Sequence, residues 1–197
     1  MGISAKLVKE LRDKTGAGMM DCKKALESCD SDINKAVDHL RSIGIAKAEK
    51  KSNREAKEGA VYSYIHPGSK LGVLVKINCE TDFVANTKEF KSFIKDIAMQ
   101  IAASDPKAIT REELDPKLVE REKAVYKEQI IQQGKPEHIA ERIITGKMEK
   151  YYKENVLFEQ EFIKDTDKNI ETYVKEIIGK LGENINITKF ARFQLGE

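Results

Sequence analysis

The chain has 197 residues and a formal net charge of +2, from 35 basic and 33 acidic side chains. Hydrophobic residues make up 40% and charged residues 35%, which is enough for a core and too periodic for a disordered chain. A balance this close to zero argues against a dedicated nucleic-acid binder, which carries a marked basic excess, and no run approaches the ~20 apolar residues of a membrane span.

The three cysteines are Cys22, Cys29 and Cys79. Cys22 and Cys29 fall on the apolar face of one short helix and read as buried, reduced thiols. No pair has a zinc-ligand partner at useful spacing, so no metal or cofactor is expected. A cysteine-poor domain without staples fits a reducing cytoplasm. The N-terminus lacks an apolar signal core. Met1-Gly2 does not read as a myristoylation signal, because Lys6 stands where Ser or Thr is needed.

In chain order, residues 3–43 predict three short helices. Ile3, Leu7, Val8 and Leu11 line the first, which stops at Thr15-Gly16-Ala17-Gly18. Asp21 is expected to cap a second helix with Cys22, Ala25, Leu26 and Cys29 on one side. Asp30 or Asp32 caps a third, with Ile33, Ala36, Val37 and Leu40 inward, and Gly44 ends it. Such a bundle, residues 1–44, is of the ubiquitin-associated type. Met19 and Met20 follow the double-glycine loop; they either fill the bundle core or offer an adaptable apolar contact to a partner. Gly-Ala-Gly there is not a phosphate loop, since no strand precedes it and no Lys-Ser/Thr follows.

Residues 45–58 carry Lys47, Lys50, Lys51, Arg54 and Lys57 without an apolar stripe and read as a basic, solvated linker. From Gly59 the period becomes two. Val61 and Ile65 are placed on one face of a strand, with Tyr62, Tyr64 and His66 on the other. Pro67-Gly68 turns the chain, and Val73, Val75, Ile77 and Cys79 return along one face, opposite Leu74, Lys76 and Asn78. This hairpin delivers the chain to Thr81-Asp82-Phe83-Val84, a strand-to-helix turn bearing a carboxylate and a large ring. Such a turn is a rigid mount for side chains that act on something outside the chain.

Thr87 then caps a helix with Phe90, Phe93, Ile94, Ile97, Ala98 and Ile101 in register, ended by Asp105-Pro106. A helix near 116–133 is closed by Gly134, and Pro136 opens another with Ala140, Ile143, Ile144, Met148, Tyr151 and Tyr152 inward. Residues 155–166 read as irregular or extended. A last helix with Ile170, Tyr173, Val174, Ile177, Ile178 and Leu181 stops at Gly182, and a third strand runs from Ile185 to Leu195. The fold class expected is therefore α+β: the bundle, then a core over 59–197 with a three-stranded antiparallel sheet packed by helices. Tyr62, Tyr64, Leu74 and Phe190 are expected on the uncovered sheet face, which predicts a partner or a second copy of the chain.

An enzyme site does not emerge. None of His39, His66 and His138 stands near a Ser or Cys in a triad pattern. Glu80 and Asp82 are two carboxylates at one turn, without a pocket signature or metal-ligand spacing to support acid–base work. His39 reads as a surface or boundary residue and His138 as solvated, while His66, beside the tight turn, projects at the domain rim, where it is either a plain surface residue or a contact.

The run Leu11 to Asp21, Asn78 to Val84, Gly134-Lys135-Pro136 and Gly182-Glu183-Asn184-Ile185, in this order over the whole length, resembles the elongation factor Ts family. These are bacterial guanine-nucleotide exchange factors for elongation factor Tu. The resemblance implies that Thr81, Asp82, Phe83 and Val84 displace Mg²⁺ from the partner's nucleotide site, with the ring wedged into the partner's G domain. It implies that the bundle docks on that domain through Met19, Met20 and Lys23, and that His66 is a partner contact. Longer members carry a duplicated core and a coiled-coil insertion; this chain reads as the short form, without a heptad insertion, in which two chains pair. No cysteine follows Cys79, so that pairing is expected to be non-covalent. Two rival readings are an adaptor whose bundle captures a helix or nascent chain, and a ribosome-associated nucleic-acid binder using the basic linker.

Overall fold

The computed structural model describes residues 3–133 and 136–196, without the side chains of 137 and 138. The expected helix stop at Gly134, the Gly134-Lys135 part of the third marker, Met1-Gly2 and the placement of the His138 side chain lie outside the described residues. By its contacts the chain divides into two compact units. The first holds residues up to Ala60 with Ile77–Phe93 and Thr172–Asn186; the second holds Val61–Lys76, Ile94–Glu171 and Ile187 onward.

The first unit begins with helices α1 (Ala5–Thr15), α2 (Met19–Ser28) and α3 (Ile33–Glu49). Ser4 caps α1 by accepting from the Leu7 N–H, and Gly16 ends it in the left-handed conformation. Val8, Leu11, Cys22, Ala25, Leu26 and Ala36 are buried together, with Ile3, Leu7, Ile33, Val37 and Leu40 half-buried around them. Of the two capping candidates for α3, Asp32 serves, accepting from the Lys35 N–H at 3.0 Å. Asp21 does not cap α2. Gly18 holds the N-cap position, and Asp21 sits in the first turn, where a carboxylate still favours the positive end of the helix.

Gly44 does not end α3, which runs on to Glu49. The packing demand at this point falls on a glycine of a neighbouring helix, Gly179. Helix α8 (Ile170–Leu181) crosses α3 there so closely that a Cβ on Gly179 would stand 2.9 Å from the Gly44 Cα. Ion pairs Arg41–Glu176 at 2.7 Å and Lys175–Glu49 at 3.7 Å flank the crossing. Gly182 stops α8 at φ +80°, as expected of a glycine beyond a helix end.

The second unit carries most of the sheet. Strands β1 (Glu58–Ile65), β2 (Leu71–Cys79) and β5 (Ile185–Gln194) lie in the order β1-β2-β5 and are antiparallel. Val73, Val75, Ile77 and Cys79 are all buried, as their alternation predicts. The outer face differs from expectation. Val61 and Ile65 are exposed, while Tyr62 and Tyr64 are half-buried. In β5 the alternation breaks at Thr188 and Lys189, both exposed; beyond it Phe190 is half-buried and Phe193 exposed. The uncovered apolar residues are thus Val61, Ile65, Leu74, Phe193 and Leu195. A strand whose two faces both carry large apolar groups gives no clear parity, and a phase break moves every later side chain to the other face.

Helix α5 (Lys88–Ser104) is capped by the Thr87 hydroxyl, which accepts from the Phe90 N–H at 3.1 Å. Phe90, Phe93, Ile94, Ile97, Ala98 and Ile101 are all buried. Helices α6 (Pro116–Gln132) and α7 (Glu137–Asn155) pack on each other as a helical hairpin around Ile130, Ile144 and Met148. Both helices are expected from their apolar spacing, and their pairing into a hairpin is the added finding. Arg111 ties this region down, pairing with Glu149 and Glu159 while lying 4.2 Å over the Tyr152 ring.

The stretch expected to be irregular or extended, residues 155–166, enters a two-stranded sheet, β3 (Glu161–Phe162) with β4 (Asp165–Asn169). Its polar sequence gives no alternation to read. What holds it is buried Gln100 of α5, which donates to the Gln160 Oε1 and the Glu161 carbonyl and accepts from the Ile163 N–H.

Candidate partner-contact site

In the first unit, β2 ends in fully buried Cys79, and a one-turn helix, α4 (Asp82–Ala85), follows. Thr81 is its N-cap, its hydroxyl accepting from the Val84 N–H at 3.4 Å. The four residues singled out from sequence divide into two pairs. Thr81 and Val84 are half-buried and belong to the mount, as does buried Ala85. Asp82 and Phe83 are exposed, and the Phe83 ring is 81% accessible.

The backbone is pinned on both sides of that ring. The Cys79 thiol donates to the Thr81 carbonyl at 3.1 Å, the Asn86 amide to the Asp82 carbonyl at 3.0 Å, and the Thr87 hydroxyl to the Val84 carbonyl at 2.8 Å. The strongest hold comes from the loop after α8. The Glu183 carboxylate accepts from the Glu80 N–H at 3.1 Å, the Thr81 N–H at 3.0 Å and the Thr81 hydroxyl at 2.6 Å. In return, the Glu80 carboxylate accepts from the Asn184 N–H at 2.6 Å and faces Arg54 at 3.6 Å. Two loops distant in sequence therefore satisfy each other's backbone donors with carboxylates, the stronger class of hydrogen bond.

Burial pushes the Cys79 thiol up to about 11, and the Glu183 carboxylate adds to the shift. The thiol stays protonated and donates; it is not a nucleophile. Buried Asn184 donates to the Ser52 and Arg54 carbonyls at 3.2 and 2.6 Å, tying the same loop to the chain beyond α3. Within Gly182-Glu183-Asn184-Ile185, the sequence pattern assigns Gly182 to a helix stop and Ile185 to a strand start, and gives Glu183 and Asn184 no structural role. Their role rests on hydrogen bonds that span more than a hundred positions of sequence, such as that from Thr81 to Glu183, which no local pattern reveals.

Met19 and Met20 open α2 and are 55% and 63% accessible, so neither fills the bundle core. Lys23 lies one turn on, exposed and paired with Glu27 at 3.9 Å. Met19, Met20 and Lys23 thus share one side of the helix. In the second unit, His66 is exposed beside the β1–β2 turn, and its Nδ1 lies 3.0 Å from the Tyr64 hydroxyl. Among the described residues no group of His, Cys, Asp and Glu is arranged to hold a metal, and no helix is long and apolar enough to cross a membrane. The geometry suits contact with another macromolecule: a large ring held out on a stiff turn, and an adaptable thioether pair.

Comparison with known proteins decides the family. A family model described as Elongation factor TS matches residues 6–197. The chain belongs to the elongation factor Ts family. It is 55% identical to Elongation factor Ts of Desulfosudis oleivorans over 195 residues, covering 99% of this chain and 98% of that protein. Elongation factor Ts of Thermosipho melanesiensis is 54% identical over 195 residues, covering 99% and 100%. That of Geotalea uraniireducens is 55% identical over 197 residues, covering 100% and 91%. The chain is a translation elongation factor by this membership.

Proposed function

We propose that the chain binds elongation factor Tu carrying GDP and promotes release of the nucleotide, so that GTP can enter. No covalent chemistry is involved. Mg²⁺ and phosphate contacts dominate the affinity of such a nucleotide, so disturbing them speeds its release. A factor does this by binding the nucleotide-free state of its partner more tightly than the GDP state. The coupling is reciprocal: GDP weakens the factor's binding by the same factor that it is itself weakened.

The observation that carries the reading is the Phe83 ring, 81% accessible on a backbone hydrogen-bonded along its length. Burying such a ring in a partner stabilises the complex by ~1.5–3 kcal/mol, and a stiff mount lets that energy displace groups in the partner instead of the ring itself. Asp82 beside it presents a carboxylate toward the Mg²⁺ and phosphate region, with Thr81 and Val84 as its support. Met19, Met20 and Lys23 dock the bundle on the partner's G domain, and His66 supplies a further contact.

The uncovered face of Val61, Ile65, Leu74, Phe193 and Leu195 is covered by a second copy of the chain. The pairing is non-covalent, since no cysteine follows Cys79. Direct nucleic-acid binding and a membrane site have no part in this reading, and Cys22, Cys29 and Cys79, all free thiols, fit the cytoplasm. The test is dissociation of labelled GDP from elongation factor Tu with and without the chain. Acceleration is expected; an unchanged rate removes the proposal.

A further inference from the structure

Helix α8 and the loop behind it touch the Phe83 turn and the loop that leads into the methionine face, all within the first unit. At its end the Lys180 side chain lies across Gly16, in the loop that leads into Met19 and Met20. One residue earlier, Gly179 presses on Gly44 of α3, between the Arg41–Glu176 and Lys175–Glu49 pairs. Just beyond, the Lys51 ammonium donates to the Gly182 carbonyl at 2.6 Å, and Asn184 donates to the Ser52 and Arg54 carbonyls. Between those two anchors Glu183 grips the Phe83 turn through Glu80 and Thr81.

We propose that α8 with residues 182–184 is a spacer that holds the methionine face and the Phe83 ring in one register, and that Glu183 is a positioning residue for nucleotide release. This rests on the exchange reading above. The ring contributes little to its own placement, since it is mostly exposed. Its position is that of the backbone beneath it, and the Glu183 carboxylate accepts both successive N–H groups at the strand-to-helix corner. With the register held, docking through the methionines delivers the ring to its target as an intramolecular event. With the register loose, the ring must search, and a misplacement of ~1 Å lowers a rate by as much as ~100-fold. Glutamine at 183 keeps the shape but turns an amide NH₂ toward N–H and hydroxyl donors, so at least one donor loses its acceptor.

The test measures GDP release from elongation factor Tu against factor concentration for the full chain, Glu183→Gln and Gly179→Ala. Helicity at the assay temperature is followed alongside. Both variants are expected to lower the maximal release rate, Glu183→Gln by ~10-fold or more, while the half-saturating concentration stays within about threefold. Gly179→Ala puts a methyl group against the Gly44 backbone without touching the turn, and reports on the spacer even if Glu183→Gln does not fold. A merely structural Glu183 would lower the melting temperature and leave the maximal rate at the unmodified value. That result, or a wild-type maximal rate for Gly179→Ala, overturns the inference. Failure of the unmodified chain to accelerate release removes the exchange reading, and this inference with it.

Discussion

The Thr81 hydroxyl donates to Glu183 at 2.6 Å across 102 positions of sequence, while accepting from the Val84 N–H at 3.4 Å. One side chain thus caps α4 and anchors it to the loop after α8. Thr81→Val keeps the shape and removes both bonds. It is expected to destabilise the chain by ~1–3 kcal/mol, because a hydrogen bond to a charged acceptor is lost along with a cap. Urea unfolding of the two proteins at neutral pH measures this; equal midpoints would count against the role given to the hydroxyl.

Met19 and Met20 are predicted to separate binding from folding. Both are more than half exposed at the start of α2, so changing both to Ser should alter stability by no more than ~0.5 kcal/mol each. Affinity for elongation factor Tu should fall at least ~10-fold, as truncation of apolar anchors at an interface typically does. Titration calorimetry together with thermal melts checks both statements. A large stability loss with unchanged affinity would return the methionines to the bundle core.

How much of this was legible in the sequence differs from element to element. Helix α5 was readable to its cap, because Thr87 and a strict apolar stripe agree. The buried face of β2 was readable for the same reason. Gly44 is expected to stop α3, yet the helix runs through it to Glu49; the close approach of α8 depends on Gly179, and no local pattern links the two glycines. Phe190 was placed outward because nothing marks the break in alternation at Thr188 and Lys189. At the turn, the exposure of Phe83 was legible from its place at a strand-to-helix corner. The hold of Glu183 was not, since tertiary hydrogen bonds leave no periodic signal.

Cys79 gives a pH dependence. Burial, helped by Glu183, raises its thiol from the ordinary 9.0 to about 11 in the folded chain. Between those values the unfolded chain has released a proton that the folded chain retains, so stability falls as pH rises from about 9 toward about 11. Below about 9 both states are protonated and the contribution is flat. Unfolding midpoints at mildly and strongly alkaline pH should drop more in the unmodified chain than in Cys79→Ala. Equal drops would mean the thiol is not held protonated by the fold.

The second-copy proposal turns on the outer sheet face. Phe193 and Leu195 are 71% and 73% accessible, beside exposed Ile65 and Leu74. Phe193→Asp places a charge on that face without disturbing a buried group. Sedimentation velocity should show a dimer for the unmodified chain and a monomer for Phe193→Asp, in reducing and non-reducing buffer alike. A monomer in both cases would leave the face to a different partner.

The most direct test of the account is stopped-flow release of fluorescent GDP from elongation factor Tu, comparing the unmodified chain with Phe83→Ala over a range of factor concentrations. The ring is 81% accessible, so its loss leaves the fold intact. The maximal release rate is expected to fall at least ~10-fold, with the half-saturating concentration raised much less, because the interaction acts mainly when the nucleotide is leaving. A half-saturating concentration raised as much as the rate is lowered, or a maximal rate that does not change, would contradict this and reduce Phe83 to a docking contact.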